Sequence, residues 1–231
     1  MENRKVSICV PTWNRFDFTT KCFEQVLNDE RVGEVVITDD CSDDGSFEAL
    51  KEFYSKSDKV NIYRNENRLK VHGNKHESIW QSTHDWCILF DSDNLITKEY
   101  LDVIFSYDWE NNVAYQPSFA MPNFDYRNLI GTYDKENIKQ SIHLPLFECM
   151  LNTQNFFINR NNYLSTWEYK DEINGADSIY FNYLWLRKGN KIKVVENLHY
   201  EHLVHRGSFY ESVAEDSLPK SLEIVEQIKN F

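Results

Sequence analysis

The sequence has no C-x-x-C pair. Its five cysteines, Cys9, Cys22, Cys41, Cys87 and Cys149, are odd in number and scattered, which argues against a disulfide framework and a structural zinc and for a reducing compartment. It also lacks any apolar stretch of 18 residues, and Met-Glu-Asn-Arg-Lys opens directly into a short apolar run with no leader-type segment. No transmembrane helix is expected, and the chain reads as cytoplasmic. Positive charge is scarce, 25 Lys plus Arg against 37 Asp plus Glu, a net −12. Such a chain is not drawn to phosphate backbones or anionic lipid, so nucleic acid is not an expected partner. Repeats and low-complexity tracts are absent. What is present is 41% hydrophobic and 15% aromatic residues in 231, enough for one folded domain with a substantial core.

Charge is concentrated where strands end. The apolar run Cys87-Ile88-Leu89-Phe90 leads straight into Asp91-Ser92-Asp93, and the β-branched run Val35-Val36-Ile37-Thr38 leads into Asp39-Asp40-Cys41-Ser42-Asp43-Asp44-Gly45-Ser46. A third run, Val6–Val10, ends in Pro11-Thr12-Trp13-Asn14-Arg15. In open α/β sheets ligands sit beyond the carboxyl ends of the strands. Hard carboxylate oxygens there suit Mg²⁺ or Mn²⁺, which use one or two carboxylates plus substrate phosphates. In a chain of net −12, a bound cation and local Arg or Lys residues must attract any anionic nucleotide. An acidic triplet alone more commonly solvates a turn; three strand ends of this kind together point to a metal–diphosphate site.

Strand and helix patterns alternate through the first half, as in βαβ units. Helices are expected at Asp17–Asn28, from Ser46 with Phe47, Leu50, Phe53 and Tyr54 as its buried stripe, at Lys75–His84 and at Lys98–Tyr107. Strands are expected at Glu34–Thr38 and Val60–Arg64. From about 113 to 167 the alternation blurs, with strand-like Val113–Gln116 and Phe156–Ile158 in polar sequence. A mostly buried helix follows at Asp177–Lys188, stopped at Gly189, then a strand at Lys191–Val195. The tail carries Leu218, Leu222, Val225 and Ile228 at helical spacing, with Pro219 suited to a first turn. Its mixed charges favour packing on the domain edge over anything beyond transient contact with a membrane surface. The division expected is 1–215 as the main domain with 216–231 packed on it.

These residues resemble family 2 of the inverting nucleotide-sugar glycosyltransferases, of GT-A fold, over roughly residues 5 to 210. The resemblance lies in Val-Ser-Ile-Cys-Val-Pro-Thr-Trp-Asn-Arg, the Asp-Asp-x-Ser-x-Asp-Gly-Ser loop, the Asp-Ser-Asp triplet, Asn-Gly-Ala-Asp heading a helix and the late His-Arg-Gly-Ser, in the family's order and spacing. It implies a single α/β domain, a Rossmann-like, mostly parallel sheet flanked by helices. It also implies transfer of a sugar from a nucleoside-diphosphate donor, UDP-sugar first, to a hydroxyl of a glycan, glycolipid or surface polysaccharide, with Mn²⁺ or Mg²⁺.

The resemblance puts Pro11, Thr12, Arg15, Asp39 and Asp40 along the nucleotide pocket. A carboxylate can accept the uracil N3–H; which of Asp39 and Asp40 does so stays open, with Asp40 slightly favoured as the structural one. Asp93 is implied as a direct metal ligand, and Asp91, one residue across Ser92, as a contact to ribose or to a metal-bound water. Lys75 lies near a position where relatives face the donor with Asn or Lys, although a solvated lysine at a helix start explains it equally. Leu69 stands where Gly is common. Asp177 is implied as the base that takes the acceptor proton, while Ala176 replaces the Glu usual before it. His199, His202 and His205 recur every third residue, a spacing that does not converge on a zinc from a strand. Instead His205, with His202 second, is implied as completing the metal shell, and Arg206 can meet the diphosphate bidentately. Two other readings stay open: a non-catalytic GT-A domain that binds nucleotide or glycan, and a metal-dependent phosphoacceptor or phosphatase-like α/β domain.

Overall fold

The computed structural model of the protein describes residues 4–173, 175–203 and 209–231. In chain order the first half runs β1 (Val6–Thr12), α1 (Phe16–Cys22), β2 (Val32–Asp39), α2 (Ser46–Phe53), β3 (Val60–Arg64), α3 (Lys70–Trp80), β4 (Trp86–Leu89), β5 (Asn94–Leu95) and α4 (Lys98–Phe105). The second half adds β6 (Val113–Met121), β7 (Phe124–Asp125), β8 (Gly131–Tyr133), α5 (Phe147–Leu151), β9 (Phe156–Asn159), α6 (Arg160–Thr166), α7 (Asp177–Arg187), β10 (Lys191–His202) and α8 (Phe209–Lys229).

One sheet organises these elements, in the order β3-β2-β1-β4-β9-β6-β10-β5, with β7 on β6 and β8 on β10. β1 pairs in parallel with both β2 and β4, β2 with β3, and β6 with β10. β9 is antiparallel to both β4 and β6, so the six parallel-running strands end at one edge and β9 begins there. The sheet is thus mostly parallel and buried on both faces, as the composition of its strands requires. One face packs a cluster built on Leu89, Phe156, Ile158, Phe181, Trp185 and Ile228, the other a cluster built on Ile8, Val35, Ile88, Tyr100, Ile104 and Phe157. Phe156 and Phe157 fall on opposite faces because successive strand residues do.

Several helices differ from the sequence expectation. α1 ends at Cys22; residues 23–28 are turns, and Phe23 and Val26 keep their helical spacing because those turns also face the core. α2 buries Leu50 and Tyr54 but leaves Phe53 63% exposed, set edge-on against Phe16 at 5.8 Å. α3 occupies Lys70–Trp80, five residues earlier than expected at its start. It stops because Thr83 is bound elsewhere: its backbone N–H and hydroxyl both donate to Glu34, at 2.6 and 2.8 Å. In α8, Pro219 lies inside the helix and not in its first turn, so the Glu215 carbonyl loses its helical donor. The buried face of α8 is Ser217, Ile224, Val225 and Ile228, while Leu218 and Leu222 are exposed.

Glu34 anchors the sheet edge away from the parallel strand ends. It accepts from the Ser7 hydroxyl at 2.7 Å and from Asn61 Nδ2 at 3.0 Å, besides Thr83. Burial opposes its charge, yet the hydrogen bonds from Ser7, Thr83 and His84 outweigh it and hold the carboxyl below its ordinary 4.5. A depressed acid stabilises above its unfolded pKa and loses that contribution as pH falls through the folded one. Glu34→Gln is therefore expected to cost about 1–3 kcal/mol at neutral pH. Urea melts should show the gap to wild type narrowing below about pH 4.5; a gap equal at pH 4 and pH 7 would contradict this account.

Candidate active site

The parallel strands deliver their polar ends to one cavity of about 680 Å³. β1 contributes Pro11 and Thr12, and the turn after it Trp13 and Arg15; the residue after β2 is Asp40; β4 is followed by Asp91, Ser92 and Asp93; α3 adds Asn74 and Lys75, α7 adds Asp177 and Ser178, and β10 ends in His202. Ten of the residues singled out in the sequence thus share one concave wall. His205 and Arg206 lie outside the described residues. Asp39 is the exception: fully buried, it accepts the Ser42 N–H at 2.9 Å within its own turn, and its second oxygen has no hydrogen-bond partner. Asp40 faces the cavity, the reverse of the slight preference for it as the structural member. It also accepts from the Leu69 N–H at 2.6 Å and from Asn65 at 2.9 Å, fastening the loop into α3. Leu69 is tolerated there because Gly73, one turn on, leaves room: a Cβ at 73 would come 2.9 Å from Leu69 Cβ.

Lys75 is no solvated helix-start lysine. It is 4% exposed in the middle of α3, and its Nζ lies 2.9 Å from Asp177 Oδ2 and 3.4 Å from Asp91 Oδ1. Burial disfavours its charge, but Asp177 and Asp91 outweigh burial and raise its pKa above the usual lysine value. The two acids respond differently. Burial opposes the Asp177 carboxylate, but Lys75 more than compensates and the carboxyl is held below the ordinary range. At Asp91 burial prevails over Lys75, with Asp93 and Asp177 adding repulsion, and the carboxyl is pushed up. Asp177 is thus kept ionised, while the charge on Asp91 is disfavoured and would be stabilised by further positive charge.

Other residues position the triplet. Asn155, just before β9, accepts the Asp91 N–H at 2.7 Å, and Arg15 Nη1 stands 2.5 Å from Asp93 Oδ2. Buried Asn74 donates to the Thr12 and Thr38 carbonyls at 3.3 and 2.9 Å, tying α3 to the ends of β1 and β2. The loop carrying Asp177 is backed by α8: Gly175 has φ +75, and a Cβ there would come 2.8 Å from both Ser217 and Val213. His202 pairs with Asn94 across the β5–β10 ladder, beside the triplet, and its Nδ1 lies 2.9 Å from Asn123 Oδ1. Asn94 Oδ1 is buried without a hydrogen-bond partner.

This donor set suits a hard divalent cation held by one or two carboxylates, with remaining ligands from phosphate. Among the described residues no three His, Cys, Asp or Glu groups converge on one point. The aromatic part of the wall is Trp13, Phe124, Tyr126 and Tyr200. Arg68 lies over the Trp13 ring at 3.6 Å.

A mostly parallel α/β sheet with acidic groups gathered at its carboxyl edge is a GT-A-type architecture. Residues 7–164 match the family model described as Glycosyl transferase family 2, and the chain belongs to that family. Among curated proteins it is similar to abequosyltransferase RfbV of Salmonella typhimurium, 28% identical over 106 residues, 44% of this chain and 32% of that protein. The chain's match to the curated relatives spans a third or less of their length. Among solved structures, S. aureus TarS 1–349 in complex with UDP-GlcNAc superposes with TM-score 0.74 at 17% identity, over 97% of this chain and 66% of that one. The mannosyltransferase PcManGT of Pyrobaculum calidifontis, in complex with GDP-Man and Mn²⁺, gives 0.71 at 14%, over 96% and 65%. These likenesses establish the fold. No helix among the described residues is long and apolar enough to cross a membrane.

Proposed function

We propose that this protein transfers a sugar from a nucleoside-diphosphate sugar, UDP-sugar first, to a hydroxyl of a glycan, glycolipid or surface polysaccharide, with inversion at the anomeric carbon. The observation that carries this reading is the single ammonium of Lys75 set between Asp91 of the triplet and Asp177. Donor-side and acceptor-side acids thereby face one cavity. The complexes of relatives with UDP-GlcNAc, and with GDP-Man and Mn²⁺, support a nucleotide-sugar donor and a divalent cation.

In this reading Asp177 accepts the proton of the acceptor hydroxyl, whose oxygen forms the new bond to the anomeric carbon. The bond to the diphosphate breaks, and its electron pair leaves with the nucleotide. Lys75 keeps Asp177 deprotonated until then. Pro11, Thr12, Arg15, Ser92 and one of Asp39 and Asp40 hold the nucleotide, and Arg206 meets the diphosphate. Asp93 and Asp91, with His202 or His205, would hold Mn²⁺ or Mg²⁺, which supplies positive charge for the leaving group. The catalytic unit is residues 1–215 with the rest of α8 packed on it, working in the cytoplasm.

A thermal-shift panel of UDP-, GDP-, dTDP- and CMP-sugars, with and without Mn²⁺, tests this. Donor at a hundred times its Kd stabilises by about 2.7 kcal/mol, roughly 5–10 °C for a chain of this size. One nucleotide class should give that shift, and only with Mn²⁺. No shift with any donor would favour the phosphatase-like reading or a non-catalytic domain that binds glycan and no nucleotide.

A further inference from the structure

We propose that Arg15 is an internal counter-cation for Asp93, which competes with the divalent ion for that carboxylate and turns to the diphosphate when donor binds. This rests on the glycosyltransferase reading above and adds a role for Arg15 that the reading does not require. Arg15 Nη1 lies 2.5 Å from Asp93 Oδ2, and the two side chains are only 19% and 16% exposed. Both face the cavity. A carboxylate oxygen bonded this closely by a guanidinium does not offer the same lone pair to a metal ion, and two cations on one carboxylate repel each other.

The attachment of Arg15 leaves its head group free to change partners. Its backbone is fixed, since its carbonyl accepts the Thr19 hydroxyl at 2.7 Å, and that hydroxyl is 2.7 Å from Thr12 Oγ1 at the end of β1. From this fixed base a flexible stem carries a planar fork that matches phosphate as well as it matches carboxylate. Among the described residues the other cavity cations are engaged elsewhere: Lys75 with Asp91 and Asp177, Arg68 with the Trp13 ring and the neighbourhood of Asp40, and Lys70 with Asp171. Arg15 is therefore, among the described residues, the cation placed to exchange Asp93 for an arriving diphosphate, which it would share with Arg206. The exchange would release the Asp93 oxygen at the moment phosphate oxygens arrive to complete the metal's shell.

The test is a pair of affinities that should move in opposite directions. Mn²⁺ alone is titrated into the full chain and followed by the EPR signal of the free ion; UDP and GDP are titrated separately by calorimetry with Mn²⁺ present. Arg15→Gln should bind Mn²⁺ alone roughly twofold to fivefold more tightly than wild type, the range expected for removing one partly exposed ion pair. The same variant should bind the nucleotide more weakly. Arg15→Lys keeps the charge but not the fork, and should move both affinities the same way by less, which keeps the test open if Arg15→Gln folds poorly. Asp93→Asn with Arg15→Gln should lose the gain in Mn²⁺ affinity. If wild type binds Mn²⁺ and nucleotide but Arg15→Gln binds Mn²⁺ no more tightly, or nucleotide no more weakly, this inference is wrong and the transferase reading stands. If wild type binds neither, both fall together.

Discussion

Replacing Lys75 with methionine is expected to destabilise the protein by about 3–5 kcal/mol, the usual result of removing one partner from a buried ion pair, and to abolish sugar transfer. The ammonium is the charge that makes a buried acid, Asp177 at 2.9 Å, compatible with a partly exposed one, Asp91 at 3.4 Å. Without it, burial pushes the Asp177 carboxyl toward the neutral form, and the like charges of Asp93 and Asp177 push Asp91 the same way. The pH dependence follows with a definite sign. In wild type the Asp177 carboxyl is held below its ordinary 3.8, so its contribution is present above that value and lost as pH falls through the folded one. In the variant its pKa is raised, so the variant instead loses stability as pH rises above 3.8 toward the new value. The gap between the two proteins should widen from pH 4 to pH 7 in urea melts. Adding Asp177→Asn should recover part of the stability and none of the activity, a non-additivity that marks direct coupling. Equal midpoints for wild type and Lys75→Met would remove Lys75 from its place at the centre of the site.

Asp177→Asn alone is expected to lower the transfer rate by about 10²–10⁴-fold, the range for loss of a general base, with nucleotide affinity unchanged. Asparagine keeps the size of the side chain and an oxygen for Lys75, but it cannot take a proton. The effect should therefore fall on kcat at saturating donor and leave the donor KM alone, as for an interaction made in the transition state. Initial rates against donor, with UDP affinity measured separately, check this. A variant as active as wild type would mean that Asp177 is not the base, whereas no transfer by wild type itself, with nucleotide still bound, would favour the non-catalytic reading, in which Ala176 stands in place of the usual acid.

The parts of the site that follow strands were legible in the sequence. Asp40, Asp91, Asp93 and the Pro11-Thr12 pair each end a β-branched or apolar run, and a charged group at the end of a buried strand needs a reason. Asp177 was legible as the head of a buried helix. The partner of Asp177 was not, because Lys75 is 102 residues away along the chain, and local periodicity says nothing about contacts at that range. Moreover, α3 is amphipathic only weakly: His72, Asn74, Lys75 and Ser78 are all buried, so its apolar pattern marks neither its start nor its inner face. Asn74 and Asn155 act through backbone groups of other strands, and a lone asparagine carries no signal for that. The blurred region from 113 to 167 contains β9, whose place between β4 and β6 is settled by tertiary pairing and not by its four residues. Phe53 and Pro219 show the reverse error, in which local rules for stripes and first turns were overridden by where the helix axis lies.

The separation of the sheet's two edges has a practical side. The cavity lies at the carboxyl ends of the parallel strands, whereas Glu34, Ser7, Thr83 and His84 lock the opposite ends. The seven residues of β1 put about 20 Å between the two. Exposed positions beside that lower edge are accordingly where a dye, an affinity handle or a surface tether can be attached with the mouth of the cavity left open. Thiol chemistry is the wrong route to the same end: Cys9, Cys22 and Cys87 are buried, half-buried Cys41 directly follows the cavity-lining Asp40, and the exposed Cys149 stands in the cavity wall.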